Sequence, residues 1–389
     1  FPAPLGLTNA FDSPFVGSFD ADPGIPGNQL WQERKVSFSE LTGRGVIDYK
    51  ITEDNLLYAS YSRGSKSGGI NPPLQPIFQV NDTFKPEFID AFEIGSKNRF
   101  ADGAVQLNAT FFYYKYKDLQ LSRIVARTSV NDNVDANIWG VEVESILRPV
   151  PPLTINVSAS YLNTEVAKTT YLSDPFDPSG GRPDAVIVKD LGNASNCAVI
   201  PTGAGGAALT NGFVTQVNAA LGLRGPVAFP DGSGINGATG AFGLCDVLAA
   251  SASAPGSGVA VVSPGVEQNI KGNKLPQAPD FKVSAGIQWE HGFENGMSIV
   301  PRLDMAFTGE SYGAVFNDTR THMPSYMVVN AQVQLNGQDD RWYARAYVQN
   351  LTNNNAVTGL YSTDQSSGNF TNIFTMEPRR YGIAAGFRF

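Results

Sequence analysis

Charge is scarce in this 389-residue sequence: Asp, Glu, Lys and Arg make up 16%, against roughly 25% in an ordinary soluble domain. Cys197 and Cys245 are the only cysteines and His291 and His322 the only histidines. Two cysteines are too few for a disulfide scaffold or a zinc cluster of CxxC type, although they could form one bridge. HExxH, GxSxG and GxxxxGK[ST] are all absent, which removes the signatures of zinc proteases, serine hydrolases and P-loop proteins. No stretch of about 18 apolar residues occurs, so a transmembrane helix is excluded. There is no Lys/Arg run, and 36 acidic residues outnumber 28 basic ones, so nucleic acid is not an expected partner. The opening FPAPLGLTNAF lacks a signal peptide's charged start and apolar run. It begins with Phe1 rather than Met, and the expectation is that processing or truncation has removed what came first.

What is present is 42% hydrophobic residues, 11% aromatics, 40 glycines and 25 prolines. That is too apolar for disorder and too rich in Gly and Pro for helical bundles. Length alone would suggest two or three soluble domains.

Side chains alternate across a strand, so a half-buried strand reads as apolar residues at every second position. Val105, Leu107, Ala109, Phe111 and Tyr113 alternate with Gln106, Asn108 and Thr110. Trp139, Val141 and Val143 oppose Glu142 and Glu144; Ile155, Val157, Ala159 and Tyr161 oppose Asn156, Ser158 and Ser160. The same pattern runs through Phe281 to Trp289, Met297 to Phe307, Met327 to Leu335 and Tyr381 to Phe389. Weaker versions cover Gly45 to Ile51, Leu56 to Arg63, Phe88 to Arg99 and Arg341 to Asn350. These eleven strands are often nine or more residues long, whereas soluble strands average about 5 or 6. About 9 to 11 is the length that crosses a bilayer at a tilt.

The connections alternate between two kinds. ITEDN (51–55), ADG (101–103), RPVPP (148–152), HGFENG (291–296) and NGQDD (336–340) are turn-like. The segments at about 64–86, 118–136, 164–279, 309–324 and 352–378 are long. One tight rim and one elaborate rim is the layout of an outer-membrane barrel. A soluble β-sandwich or β-helix would show the same periodicity, because an apolar face can meet a second sheet as well as lipid. Strand length, one-sided loops and aromatics near strand ends, among them Tyr49, Tyr58, Tyr113, Trp139, Trp289, Trp342 and Phe389, favour the membrane barrel.

Several segments then resemble one family. LLYASYSRGSKSGGIN (56–71), FKPEFIDAFEIGSKNRFADGAVQLNATFFYYKYKDLQ (84–120), NIWGVEVE (137–144), KLPQAPDF (274–281), VVNAQVQL (328–335), YVQNLTNN (347–354) and PRRYGIAAGFRF (378–389) match, in order and spacing, the C-terminal barrel of TonB-dependent outer-membrane receptors. The resemblance covers roughly residues 40–389, apart from an insertion between about 165 and 275. It implies an all-β, antiparallel transmembrane β-barrel, of which this chain supplies about 11 C-terminal strands of an expected 22 with long extracellular loops. Residues 1–39 are then the end of an extracellular loop. Family members carry a TonB box and a plug ahead of the barrel, and neither is found in this sequence. Even strand numbers are the rule for bacterial barrels, so eleven implies missing strands and a piece that cannot close alone.

By this resemblance the function is active, TonB-dependent uptake of a scarce solute across the outer membrane of a Gram-negative bacterium. Ferric siderophores are the commonest substrate class of the family. A passive porin-like channel, or a soluble carbohydrate-binding β-protein, are the alternatives from other classes. No enzymatic activity and no cofactor is implied. The expected partners are the TonB energy-transducing complex, the barrel-assembly machinery, outer-membrane lipid and the nutrient ligand. A terminal Phe389 on an alternating strand is the barrel-assembly signal in such proteins.

Individual sites read modestly. Glu142 with Glu144, Arg302 with Asp304, and Glu93, Lys97 and Arg99 are polar residues of a wet lumen rather than an acid/base pair or catalytic groups. GSKSGG (64–69) lacks the following helix that a phosphate loop needs. Within the insertion, Val214, Val217 and Leu221 recur at helical spacing and suggest a short helix over 212–223. Cys197 and Cys245, 48 positions apart, are disulfide candidates in an oxidising compartment. Long loops on a rigid scaffold usually supply ligand contacts. Tyr171, Phe176, Tyr312, Phe316, Tyr361 and Phe370 are therefore the candidates for substrate contact.

Overall fold

A computed structural model describes residues 34–72, 80–125, 128–190, 195–220, 244–364 and 368–387. Eleven antiparallel strands follow one another in a single sheet in chain order. They are β1 (Gly43–Lys50), β2 (Asn55–Lys66), β3 (Glu87–Phe100), β4 (Val105–Val125), β5 (Thr128–Val150), β6 (Leu153–Val166), β7 (Phe281–Trp289), β8 (Ser298–Thr308), β9 (Tyr326–Asn336), β10 (Trp342–Gln349) and β11 (Arg380–Phe387). Each of the eleven periodic segments of the sequence is one of these strands. Among the described residues β1 and β11 do not pair with each other, so the sheet is open at both edges.

Register carries the alternation across the sheet. Ile94, Phe111, Val141, Tyr161 and Phe281 lie opposite one another on five neighbouring strands, and Ile287, Leu303 and Ala331 continue an apolar row on β7 to β9. These side chains stay outside any core: Ile94 is 59% exposed, Ile287 46% and Leu303 44%. A continuous exposed apolar face of this kind is stable only against lipid or another apolar surface. Towards the long-loop rim it ends in aromatics, with Tyr61 5.1 Å from Phe92 and Trp139 5.3 Å from Tyr161. Towards the other rim Trp342 faces Phe387 across β10 and β11.

The opposite face is polar and hydrogen-bonded. Arg302 donates to Asp304 at 2.6 and 2.9 Å and to Asn156 at 3.1 Å, in space kept open by Gly286, where a Cβ would lie 2.6 Å from both the Arg302 guanidinium and Asn156 Oδ1. Tyr58 donates to or accepts from Thr110 at 2.8 Å, and its ring lies over Gly95.

Short connections stand where the sequence puts them. The segment expected as a loop at 118–136 is instead sheet, because β4 and β5 continue to a tip beside Val125 and Thr128. The cause is a bulge. Tyr116 pairs with Ala136, but Leu119 pairs with Val134, so β4 carries one extra residue there, with Asp118 at φ 55° and its N–H donated to Asp135 at 2.9 Å. One inserted residue reverses the parity of every side chain beyond it. Odd positions that face outwards through Tyr113 turn inwards at Leu119 and Leu121, where they meet Val134 and Ala136.

Among the described residues, two buried apolar clusters involve the long connections. One joins Val134, Ala136 and Val166 of β5 and β6 to Leu172, Ile270, Leu275 and Val315. The other lies inside the 165–275 insertion, where strands Val186–Asp190, Ser195–Pro201 and Val259–Val262 form a separate sheet against helices α1 (Gly206–Ala220) and α2 (Leu244–Ala252). Helix α1 begins six residues before the helix expected over 212–223, and residues 221–223 lie outside the described residues. Leu209, Phe213, Val214 and Val217 pack it on Val188, Val199 and Leu248.

Candidate loop cavity at the long-loop rim

The connections converge because each is pinned to the next. Asn273 Nδ2 donates to Val315 O at 2.9 Å and Lys274 N to Asn317 Oδ1 at 2.7 Å. Gln277 N donates to Tyr312 O at 2.7 Å, and Leu275 N to Thr164 Oγ1 at 3.0 Å. With Leu172, Leu275 and Val315 buried between them, the tip of β4 and β5, the insertion and the loops before β9 and β11 line an open cavity of about 360 Å³. That is the low end of the ordinary range for small-molecule sites, about 300 to 1,000 Å³.

Its wall is largely apolar, with Leu121, Leu172, Phe316 and Leu360 each contributed by a different segment. Asp174, Asp318 and Asp364 line it, and Arg123 is the one cation among the described lining residues. Arg123 is already paired with Asp132. Behind the wall Arg320 stacks over the Phe176 ring at 5.1 Å, donates to Phe176 O at 2.7 Å, and stands 3.6 Å from Asp174 and 3.7 Å from Asp318. Burial pushes the Asp174 carboxyl above its ordinary value, against the stabilising N–H of Phe176 at 2.8 Å; nearby Asp318 and Asp177 push in the same direction as burial, and Arg320 pulls the other way. Asp318 Oδ1 accepts from Arg320 N at 2.7 Å and Thr321 N at 3.0 Å, while its solvent-shielded Oδ2 has no donor.

Of the six aromatics singled out in the sequence, Phe176, Phe316 and Tyr361 line this cavity. The other three do not. Tyr171 is 54% exposed on a short ladder with Asn269, Tyr312 packs against His322 at 5.4 Å, and Phe370 is half exposed at a hairpin end. The sequence reading missed Asp174, Asp318, Asp364 and Arg320. Scattered single aspartates carry no spacing signal, and only the fold brings 174, 318 and 364 to one wall.

Elsewhere, Cys197 and Cys245 are bonded to each other inside the insertion core, with Asp190 accepting Cys245 N at 3.0 Å at the start of α2. Phe389 lies outside the described residues. Lys97, Arg99, Glu142 and Glu144 line a second, polar hollow of about 520 Å³ beside the short turns, and Glu93 accepts from Tyr114 at 2.9 Å. GSKSGG spans the end of β2 and a two-residue ladder, Gly69–Ile70 with Thr83–Phe84. Among the described residues no group of three or more His, Cys, Asp or Glu side chains is placed to hold a metal ion.

The family model for the TonB dependent receptor-like beta-barrel matches residues 16–351. A search of the curated proteins returned no match. Among solved structures, the chain is similar to the ferric yersiniabactin uptake receptor FyuA of Yersinia pestis, at TM-score 0.52 and 16% identity over 88% of this chain and 36% of that one. The siderophore receptor PiuA of Acinetobacter baumannii gives TM-score 0.50 and 15% identity over 88% and 35%. The copper transporter OprC gives TM-score 0.50 and 11% identity over 90% and 39%. The chain thus spans little more than a third of the length of these proteins, and at such identities the likeness concerns the fold. With an eleven-stranded antiparallel sheet, apolar on one face and polar on the other, and a family match across most of its length, the chain belongs to the TonB-dependent receptors, outer-membrane proteins of Gram-negative bacteria, as part of their β-barrel.

Proposed function

We propose that this chain is the ligand-capturing part of an outer-membrane receptor that imports a scarce solute, driven by the TonB complex, with iron chelates of the ferric siderophore class as the first substrates to test. The observation that carries this reading is the cavity at the long-loop rim, standing over a sheet whose other face is a hydrogen-bonded polar wall. A loop site above a polar wall gives a captured solute a hydrophilic way down, while the apolar face holds the sheet in lipid. In this orientation the long-loop rim is extracellular and the short-turn rim periplasmic. Among the similar structures are a ferric yersiniabactin uptake receptor, a siderophore receptor and a copper transporter, which supports metal uptake and leaves the chelate open.

The test is deletion of the gene in its host, with uptake of radiolabelled iron chelates measured with and without an active energy-transducing complex. Loss of uptake of one chelate class, equally abolished by removing TonB, supports the reading. Undiminished uptake of every class refutes the iron-chelate reading, and uptake independent of TonB would make the protein a passive channel. The third alternative, a soluble β-protein, predicts recovery without detergent.

A further inference from the structure

The insertion joins the rim through a stem that is braced within itself. Tyr171–Ser173 pairs with Glu267–Asn269, Ser173 Oγ donates to Gly265 O at 2.9 Å, and Val266 N donates to Pro178 O at 2.9 Å. Gly265 lies so close to Pro178 that a Cβ there would meet its backbone at 2.7 Å. How this stem leans on the loop at 309–324 therefore sets the spacing of two cavity walls, one carrying Leu172 and Phe176, the other Val315 and Phe316. On the returning chain of the stem the contact is made by the hydrogen bonds of Asn273, Lys274 and Gln277 to Val315, Asn317 and Tyr312. On the outgoing chain Leu172 shares a buried cluster with Val315, and residues 174–176 are held by Arg320.

Arg320 is not itself a lining residue, yet it grips one that is. Its guanidinium donates to Phe176 O at 2.7 Å and stacks over the Phe176 ring at 5.1 Å, so one group fixes both the backbone and the ring of that residue. Asp318 accepts from Arg320 N at 2.7 Å and anchors the start of the side chain. Magnitudes decide which contacts matter. The ion pairs to Asp174 and Asp318 are long, 3.6 and 3.7 Å, on a side chain 47% exposed, and such pairs contribute little in water. A hydrogen bond from a charged donor and a cation stacked on an aromatic face contribute more. We infer that Arg320 is the positioning residue of the cavity: it clamps Phe176, and with it the stem of the insertion, against the 309–324 loop, so that both walls stand in place before a solute arrives. Without the clamp fewer receptors hold the competent arrangement, and apparent affinity falls in proportion. That consequence rests on the receptor reading, whereas the clamp itself does not.

The test compares the intact receptor in detergent with its Arg320→Ala and Arg320→Lys variants. Amide hydrogen exchange over 172–182, far from the substitution in sequence, should be about tenfold faster in Arg320→Ala, with exchange in β7 to β9 unchanged. Arg320→Lys keeps the charge but not the planar fork, and should fall between. Unchanged exchange over 172–182 in Arg320→Ala overturns the clamp. Faster exchange in β7 to β9 as well would make Arg320 a general stability residue and overturns it too. The second arm measures association and dissociation of a ferric tris-hydroxamate and a ferric tris-catecholate by stopped-flow fluorescence quenching. The complex that the unaltered receptor binds should associate about tenfold more slowly with Arg320→Ala, with dissociation changed less than about twofold, because the competent fraction has fallen. An unchanged association rate ends the positioning role. If the unaltered receptor binds neither complex, the iron-chelate reading loses its support, and the exchange arm decides the clamp by itself.

Discussion

Asp174 is the residue whose environment makes the clearest solution prediction. Its side chain is 4% exposed, and burial raises its carboxyl pKa above the ordinary value of 3.8. A carboxyl with a raised folded pKa binds more protons folded than unfolded, so its contribution to stability is complete below the unfolded value and is lost as pH rises through the folded one. The loops around Asp174 should therefore tighten on acidification from neutral pH towards pH 4, read as slower amide exchange over 172–182. Asp174→Asn keeps an acceptor for Phe176 N and removes the charge; it should flatten that dependence, and an unchanged profile would assign the effect elsewhere. The bridge between Cys197 and Cys245 gives a second prediction at this scale. Intact mass should rise by about two hydrogens on reduction, and Cys197→Ala with Cys245→Ala should destabilise the insertion by at most about 4 kcal/mol in the chain-entropy model.

Among elements, the central strands separate two kinds of substitution that the sequence pattern treats alike. Leu303, at the middle of β8, faces outwards between Ile287 and Ala331, whereas Ser284 on β7 faces the polar side between Ser158 and Ala306. Leu303→Arg should cost roughly 2 to 4 kcal/mol in a refolding titration in lipid, because it puts a cation near the bilayer midplane. Ser284→Arg should cost under about 1 kcal/mol, since the same group is wet there. Equal costs would contradict the assignment of faces. The insertion is an element of another kind. Its three strands, two helices and disulfide share a core whose described residues all lie within the insertion, so residues 181–265 expressed alone under oxidising conditions should melt cooperatively. Reductant should lower that midpoint, as expected when a staple is removed from so small a core.

The whole molecule is limited by its edges. In an antiparallel sheet of eleven strands the first and last run the same way, so joining β1 to β11 would need a parallel seam, unlike every other pair in this sheet. All eight residues of β1 are exposed. Unpaired strand edges in lipid leave backbone groups without partners, at several kcal/mol each, and template association in water. Residues 34–387 produced alone should therefore fail to give a heat-modifiable monomer in detergent electrophoresis. A stable monomer would show that the edges are satisfied in some other way.

Much of this architecture was already legible in the chain. A period of two needs only adjacent residues to be read, so the eleven strands, their two faces and the short turns of ADG and NGQDD follow from local chemistry alone. The family resemblance added direction and number. The sequence misled at one point, 118–136, because the bulge at Asp118 shifts the period by one and makes a continuing strand look like its end. Half of the aromatics proposed for the loop site reach the cavity and half do not, since exposure of an aromatic in a loop says nothing about which loops will meet. Strand identity, then, was set by short-range alternation. What only the tertiary structure decided was the cavity, where Asp174, Asp318 and Asp364 come from three connections far apart in sequence: convergence of loops depends on long-range hydrogen bonds such as that from Asn273 to Val315, and no local pattern encodes those.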